Sequence, residues 1–239
     1  MDLNTRPTVL LFDVNETLLD VGAVKRQVGD LLQEPGAGTL WFTTMLHYSL
    51  VLTVSGQYAG FPEIGAAALR MLARNADLGL SQQDALAVMA GMRTAAAHPE
   101  VIPALERLQR AGFRMASLTN STQAGAEAQL AHAGLDRFFE RQLSVQGTGK
   151  FKPHRDVYLW AADEMGVQPS ECMLVAAHGW DVAGAAWAGM RTAFVAREGQ
   201  QKFPLAPEPA LDVPDLAALA TRLTATQAPS PQARPGTAP

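Results

Sequence analysis

The sequence predicts an α/β protein: a doubly wound parallel sheet carrying an inserted all-helical segment. Three observations predict it. Beyond His98 short apolar runs alternate with helix-period segments, the rhythm of strands joined by helical crossovers. Between Asp20 and Ala97 only helical patterns occur. The three clearest apolar runs each end on polar residues, Asp13, Thr119-Asn120 and His178, as strands do when their carboxyl ends open on one ligand crevice.

Val9 to Phe12 is a short apolar run that reads as a buried parallel strand with Asp13 at its end. Ala23 to Gln33 is helical in pattern and is broken by Pro35-Gly36-Ala37-Gly38. Three more helices follow: about Thr39 to Ser55, about Glu63 to Asn75, and from the cap residue Ser81 to about Met92. Val101 to Ala111 is helical and stops at Gly112. Phe113 to Leu118 reads as strand. Thr122 to Ala133 and His154 to Met165 read as helices that stop at Gly134 and Gly166. Met173 to Ala177 is a strand, Trp180 to Ala188 a helix, Thr192 to Val195 a strand, and Pro214 to Leu223 the last helix. The expected core is therefore residues 1–20 and 98–223, with a helical cap at 21–97. Residues 224–239 read as a disordered tail, because the last 15 residues hold four prolines, four alanines and one charge.

Composition narrows the function classes. The chain has 239 residues, 48% hydrophobic and 18% charged, ordinary for a globular protein with a real core. A net charge of −4 gives no reason to expect nucleic acid or an anionic membrane as partner. One cysteine, Cys172, excludes an internal disulfide and fits a reducing compartment, and the N-terminus lacks the basic-then-apolar order of a signal peptide, so a cytoplasmic protein is expected. Residues 35–62 carry no Asp, Glu, Lys or Arg, but His47, Gln57, four threonines and two serines make the segment too polar for a bilayer span. It reads instead as a helix lining a cavity or a subunit contact, which suggests a homodimer.

Asp13, Thr119-Asn120 and His178 each have a structural reading alone: a surface acid, an N-cap, a structural histidine. Their common placement at strand ends points to a site. Asp13-Val14-Asn15-Glu16-Thr17, Leu118-Thr119-Asn120, Lys152-Pro153 with Val157-Tyr158, and Val175 to Asp181 with Ala183-Gly184-Ala185 and Gly189 together resemble the four motifs of the haloacid dehalogenase superfamily. Trp180-Asp181, Lys152 to Tyr158, and Tyr48 through Gly56, Tyr58 and Phe61 are similar to its L-2-haloacid dehalogenase branch. The resemblance runs from about Val9 to Arg197. It implies a Rossmann-like core, a helical cap, a dimer, and an aspartate that attacks carbon.

Chemistry assigns the roles. Asp13 is the expected nucleophile, forming an ester that water hydrolyses. Lys152 supplies the cation that keeps it ionised. Thr17 and Thr119 offer hydroxyls and Asn120 an amide to hold that carboxylate or the substrate's own. Asp181 can position or activate the hydrolytic water. By resemblance, Tyr158 helps hold the lysine and the polar network, and Asn15, Phe42, Asn120, Tyr158 and His178 are the expected substrate-binding residues. Asn15 stands where superfamily phosphatases carry a second aspartate that protonates the leaving alcohol, and an amide cannot do so. The fourth motif offers Ala176, Ala177 and His178 before the single acid Asp181, a thin site for magnesium. Both points favour a cofactor-free and metal-free 2-haloacid dehalogenase acting on a small halocarboxylate. A magnesium-dependent phosphatase and a non-catalytic binding protein are the alternatives.

The sequence also departs from the pattern it resembles. The branch has an arginine after the cap tryptophan to receive the halide, whereas Trp41 is followed by Phe42. Ala176 replaces the usual serine, His178 the usual asparagine, and Asn15-Glu16 the usual aromatic and glycine. His178 can donate to the departing halide in place of the arginine, or it can orient Asp181 or cap the following helix.

Overall fold

The computed structural model describes residues 6–225. Among these residues the main sheet has six parallel strands in the order β5-β4-β1-β6-β7-β8. They are β1 (Val9–Phe12), β4 (Arg114–Thr119), β5 (Arg141–Ser144), β6 (Cys172–Ala176), β7 (Arg191–Val195) and β8 (Leu211–Val213). β1 is buried along its whole length, between β4 and β6, and Leu11 is level with Ala116 on one side and Leu174 on the other. A strand covered on both faces needs a continuous apolar run, and Val-Leu-Leu-Phe is one.

Helices flank this sheet: α5 (Val101–Arg110), α6 (Gln123–His132), α7 (Arg155–Glu164), α8 (Gly179–Trp187) and α9 (Leu216–Ala225). In α5 the residues Val101, Ala104, Leu105 and Leu108 form one buried stripe at helical spacing. α6 opens at Thr122, whose hydroxyl accepts from the Gly125 amide at 3.2 Å.

Four helices make the inserted segment: α1 (Gly22–Leu32), α2 (Ala37–Val54), α3 (Phe61–Asn75) and α4 (Gln82–Ala90), followed by a short 3₁₀ turn at Gly91–Thr94. α2 packs against α1 and α3, and α3 against α4. α1 and α2 approach so closely that a Cβ on Gly38 would lie 2.1 Å from the Lys25 carbonyl oxygen. α2 buries Trp41, Phe42, Met45 and Ser49 toward its neighbours, and the Trp41 indole donates to the Gly65 carbonyl at 2.9 Å.

Three features differ from the sequence expectation. β5 and β8 are strands that were not expected, because both are short edge strands without an apolar run. An antiparallel ribbon of β2 (Leu19–Asp20) and β3 (Ala96–Ala97) ties the ends of the inserted segment together, where a purely helical segment was expected. Its two-residue strands are too short to leave a period in the sequence. α9 runs to Ala225, so the expected tail cannot begin at residue 224; the rest of that tail lies outside the described residues. No helix among the described residues is long and apolar enough to cross a membrane.

Candidate active site

Asp13 follows β1, and its carboxylate is fully engaged. Oδ1 accepts from Lys152 Nζ at 2.9 Å. Oδ2 accepts from the Thr17 hydroxyl at 2.7 Å and from His178 Nδ1 at 3.0 Å. Burial alone would raise the Asp13 pKa, but the charges of Lys152 and His178 and their hydrogen bonds outweigh it and hold the carboxyl far below its ordinary value. Asp13 is therefore an ionised carboxylate only 4% exposed.

Lys152 is enclosed and has three acceptors for its three protons: Asp13 Oδ1, the Leu118 carbonyl at 2.9 Å and Asp181 Oδ2 at 2.6 Å. Burial pushes its pKa down, but Asp13 and Asp181 push harder and raise it. The Tyr158 hydroxyl donates to Asp181 Oδ1 at 2.6 Å. Gly184 makes this approach possible, since a Cβ there would stand 2.7 Å from the Tyr158 oxygen.

The structure thus places Asp13, Thr17, Lys152, His178, Asp181 and Tyr158 in one network. Several expected roles need correction. Asp181 has no exposed surface and both its oxygens are taken, so its placement suits holding Lys152 rather than activating water. Tyr158 is equally enclosed and serves this network, not substrate. Asn15 turns its amide away from Asp13: Nδ2 donates to Ser121 Oγ at 3.2 Å and Oδ1 accepts from Gln129 at 2.9 Å. The Thr119 hydroxyl oxygen accepts the Ser121 amide at 3.2 Å. Asn120 accepts the Lys152 amide through Oδ1, while its buried Nδ2 has no partner, leaving a donor for substrate.

His178 departs most from expectation. Its Nε2 donates to Glu16 Oε2 at 2.9 Å while Nδ1 donates to Asp13, so neither nitrogen is free for a halide. It makes no side-chain cap to α8, and Asp181 is held by other residues. A ring donating from both nitrogens is an imidazolium. Burial would lower its pKa, but Asp13 and Glu16 raise it to about 9. The ring stacks on Trp180, 5.0 Å away centroid to centroid at an interplanar angle of 26°, and on Phe42, 6.2 Å away at 17°. Phe42 thus stacks against the site's histidine, and the Lys25 ammonium sits 4.9 Å from its centroid.

Glu16, Lys25, Ser121 and Gln129 were not expected in the site. Glu16 accepts from His178, from Lys25 and from Gln200. Its φ of 64° is the left-handed region, which favours glycine and costs other residues about 1–2 kcal/mol. A signal was present: Phe42, Glu16 and His178 are three departures from the resembled pattern, and they meet at one point. Ser121 and Gln129 gave no comparable signal, because a serine before a helix and a glutamine inside one are ordinary.

Comparisons with known proteins agree with this geometry. A family model described as haloacid dehalogenase-like hydrolase matches residues 7–189. The chain is 32% identical over 195 residues to (S)-2-haloacid dehalogenase 4A of Burkholderia cepacia, covering 79% of this chain and 83% of that protein. It is 32% identical over 200 residues to the (S)-2-haloacid dehalogenase of Xanthobacter autotrophicus, covering 80% and 76%. The structure of L-2-haloacid dehalogenase from Xanthobacter autotrophicus with chloropropionic acid covalently bound superposes with a TM-score of 0.84 at 26% identity, over 93% of this chain and 100% of that one. The order of the strands, the aspartate after β1 and these similarities together show that the chain belongs to the haloacid dehalogenase-like hydrolases.

Proposed function

We propose that the protein is a metal-independent 2-haloacid dehalogenase that converts a small 2-halocarboxylate to a 2-hydroxy acid. The observation that carries this is the Lys152 ammonium, which bridges Asp13 and Asp181 at 2.9 and 2.6 Å. A cation already stands between the two carboxylates that a magnesium ion would share. Glu16 is turned to His178 and Lys25, and Asn15 to Ser121, so the donor set does not fit a magnesium centre.

The reaction follows from these residues. The ionised Asp13 carboxylate attacks the carbon bearing the halogen, the carbon–halogen bond breaks, and halide leaves with its electron pair. Water then adds to the Asp13 carbonyl carbon. Lys152, already on Oδ1, stabilises the oxyanion that forms. Collapse expels the hydroxy acid and regenerates Asp13. Halide is a weak base and needs no acid, which suits an amide at Asn15. The partnerless Asn120 Nδ2 is a donor left for the substrate. Dimerisation and a cytoplasmic location belong to the same reading, supported by the uncharged segment at 35–62 and the single cysteine.

The test is halide release from chloroacetate, bromoacetate and 2-halopropionates with and without EDTA, beside phosphate release from phosphomonoesters. Halide release that ignores EDTA is expected. Magnesium-dependent phosphate release without halide release would replace this reading by a phosphatase.

A further inference from the structure

Glu16, His178 and Asp13 form a line of hydrogen bonds, Oε2 to Nε2 at 2.9 Å and Nδ1 to Oδ2 at 3.0 Å. A nucleophile within hydrogen-bond reach of a histidine that a third group orients is the arrangement that supports covalent catalysis with an internal base. We propose that His178, oriented by Glu16, is the base that activates water to hydrolyse the Asp13 ester. This rests on the dehalogenase reading, since it requires that ester.

Other candidates for the base are committed elsewhere. Asp181 is enclosed, with Tyr158 on one oxygen and Lys152 on the other. Lys152 has three acceptors. Thr17 already donates to Asp13 and accepts the Ala177 amide at 2.9 Å. His178 Nδ1 lies 3.0 Å from Oδ2 of the reacting carboxylate, which puts the ring beside the carbon that water must attack.

The protons balance. In the resting enzyme His178 is an imidazolium, and alkylation of Asp13 removes one of the two negative charges that hold its proton. The imidazolium then loses that proton to solvent, which accounts for the acid released with the halide. Neutral Nδ1 takes a proton from water as the hydroxyl adds to the Asp13 carbonyl carbon. The tetrahedral intermediate breaks its bond to the alkyl oxygen, and His178 returns the proton to the departing alkoxide. The new Asp13 carboxyl gives its proton to His178, restoring the ion pair. One halocarboxylate and one water yield one hydroxy acid, one halide and one proton.

The charged groups around the ring fit this cycle. Asp13 and Glu16 face it from the segment after β1. Lys25 on α1 pairs with Glu16, and Gln200 after β7 donates to Glu16. α2 and α8 present the uncharged rings of Phe42 and Trp180. Lys152 and, beyond it, Asp181 act through the other oxygen of Asp13. Esterification therefore changes one charge in direct contact with His178, and Glu16 keeps the ring aimed. Glu16 is a positioning residue and His178 a catalytic one.

The experiment uses the full chain, 2-bromopropionate and three variants. In His178→Ala, halide release should give a burst of one equivalent and then fall by about 10²–10⁴ in steady state. Intact-mass measurement should find the ester accumulated on Asp13, circular dichroism should confirm the fold, and added imidazole should restore part of the turnover. In Glu16→Gln, the acid limb of the deacylation pH profile should move to lower pH, because one charge holding the proton on His178 is gone; a merely structural role would not move it. Loss of the burst with no accumulated ester in folded His178→Ala would overturn the proposal. So would ester accumulation in Asp181→Asn but not in His178→Ala. No halide release from the unaltered protein would remove the dehalogenase reading, and the base role with it, whereas halide release with an untrapped ester in His178→Ala removes the base role alone.

Discussion

At Phe42 the residue type decides what the pocket can offer a leaving group. An aromatic ring edge carries only weak positive potential and cannot replace a guanidinium, so chloride should leave chloroacetate and 2-chloropropionate slowly. Restoring the cation by Phe42→Arg is not a simple repair. The side chain is buried and stacks on a positively charged imidazole with the Lys25 ammonium 4.9 Å from its ring. A third cation there has no free carboxylate, since Glu16 already serves Lys25 and His178. Phe42→Arg should lower stability by on the order of 3 kcal/mol, the range for an unpaired buried charge, and should not speed chloride release. Thermal denaturation and a chloride assay check this; an unchanged melting temperature with faster chloride release would show that the guanidinium finds room. Much of the site was legible because each strand-end residue can be read from its own short motif. His178 was misjudged because its partner, Glu16, lies 162 positions away and nothing local in the sequence reports the contact.

Among the elements, the contact of α1 with α2 sets how the inserted segment holds Phe42 and Lys25 over the site. Gly38 permits it. A methyl group there would collide with the Lys25 carbonyl, and backbone cannot swing aside as a side chain does. Gly38→Ala should therefore destabilise by about 1–3 kcal/mol, although alanine is the better helix former. A urea midpoint at or above that of the unaltered protein would contradict this close packing. The elements that could be read from sequence share one property: a long buried face. β1, β4 and β6 are buried runs, and α5 and α3 carry clear helical stripes. β5 and β8 escaped because an edge strand buries fewer side chains, and in β5 Arg141 is exposed and Gln142 only half-buried. Their pairing with β4 and β7 is decided by backbone hydrogen bonds, which leave no composition behind.

The whole molecule adds two consequences that no single element carries. α2 leaves Leu40, Leu50, Val51 and Val54 exposed, with Val54 at 88%, on a helix without a charged residue. Such an apolar face on an otherwise polar surface is expected to be covered by a second copy. Sedimentation should give a dimer at micromolar concentration, and Val51→Lys with Val54→Lys should give a monomer; a monomeric unaltered protein would remove the idea. The site's charges also set the pH range of stability, and two of them, Asp13 and His178, act in opposite directions. Asp13 has a folded pKa below its ordinary 3.8, so its contribution is present above about that pH and is lost on acidification through the folded value. His178 has a folded pKa raised from 6.5 to about 9, so its contribution is complete below 6.5 and is lost as pH rises through 9. Urea midpoints should therefore stand highest between about pH 4 and 6.5 and fall toward pH 9, since each tenfold difference in proton affinity between folded and unfolded chain is worth about 1.4 kcal/mol. Cys172, whose buried thiol is pushed up to about 12 from 9, adds a further decline only beyond pH 9, so comparison with a variant lacking the imidazole assigns the decline between 6.5 and 9. In His178→Asn the decline across that interval should vanish while the acid limb remains. An equal slope in both proteins would mean that the Asp13–His178–Glu16 line does not hold its proton in the folded chain.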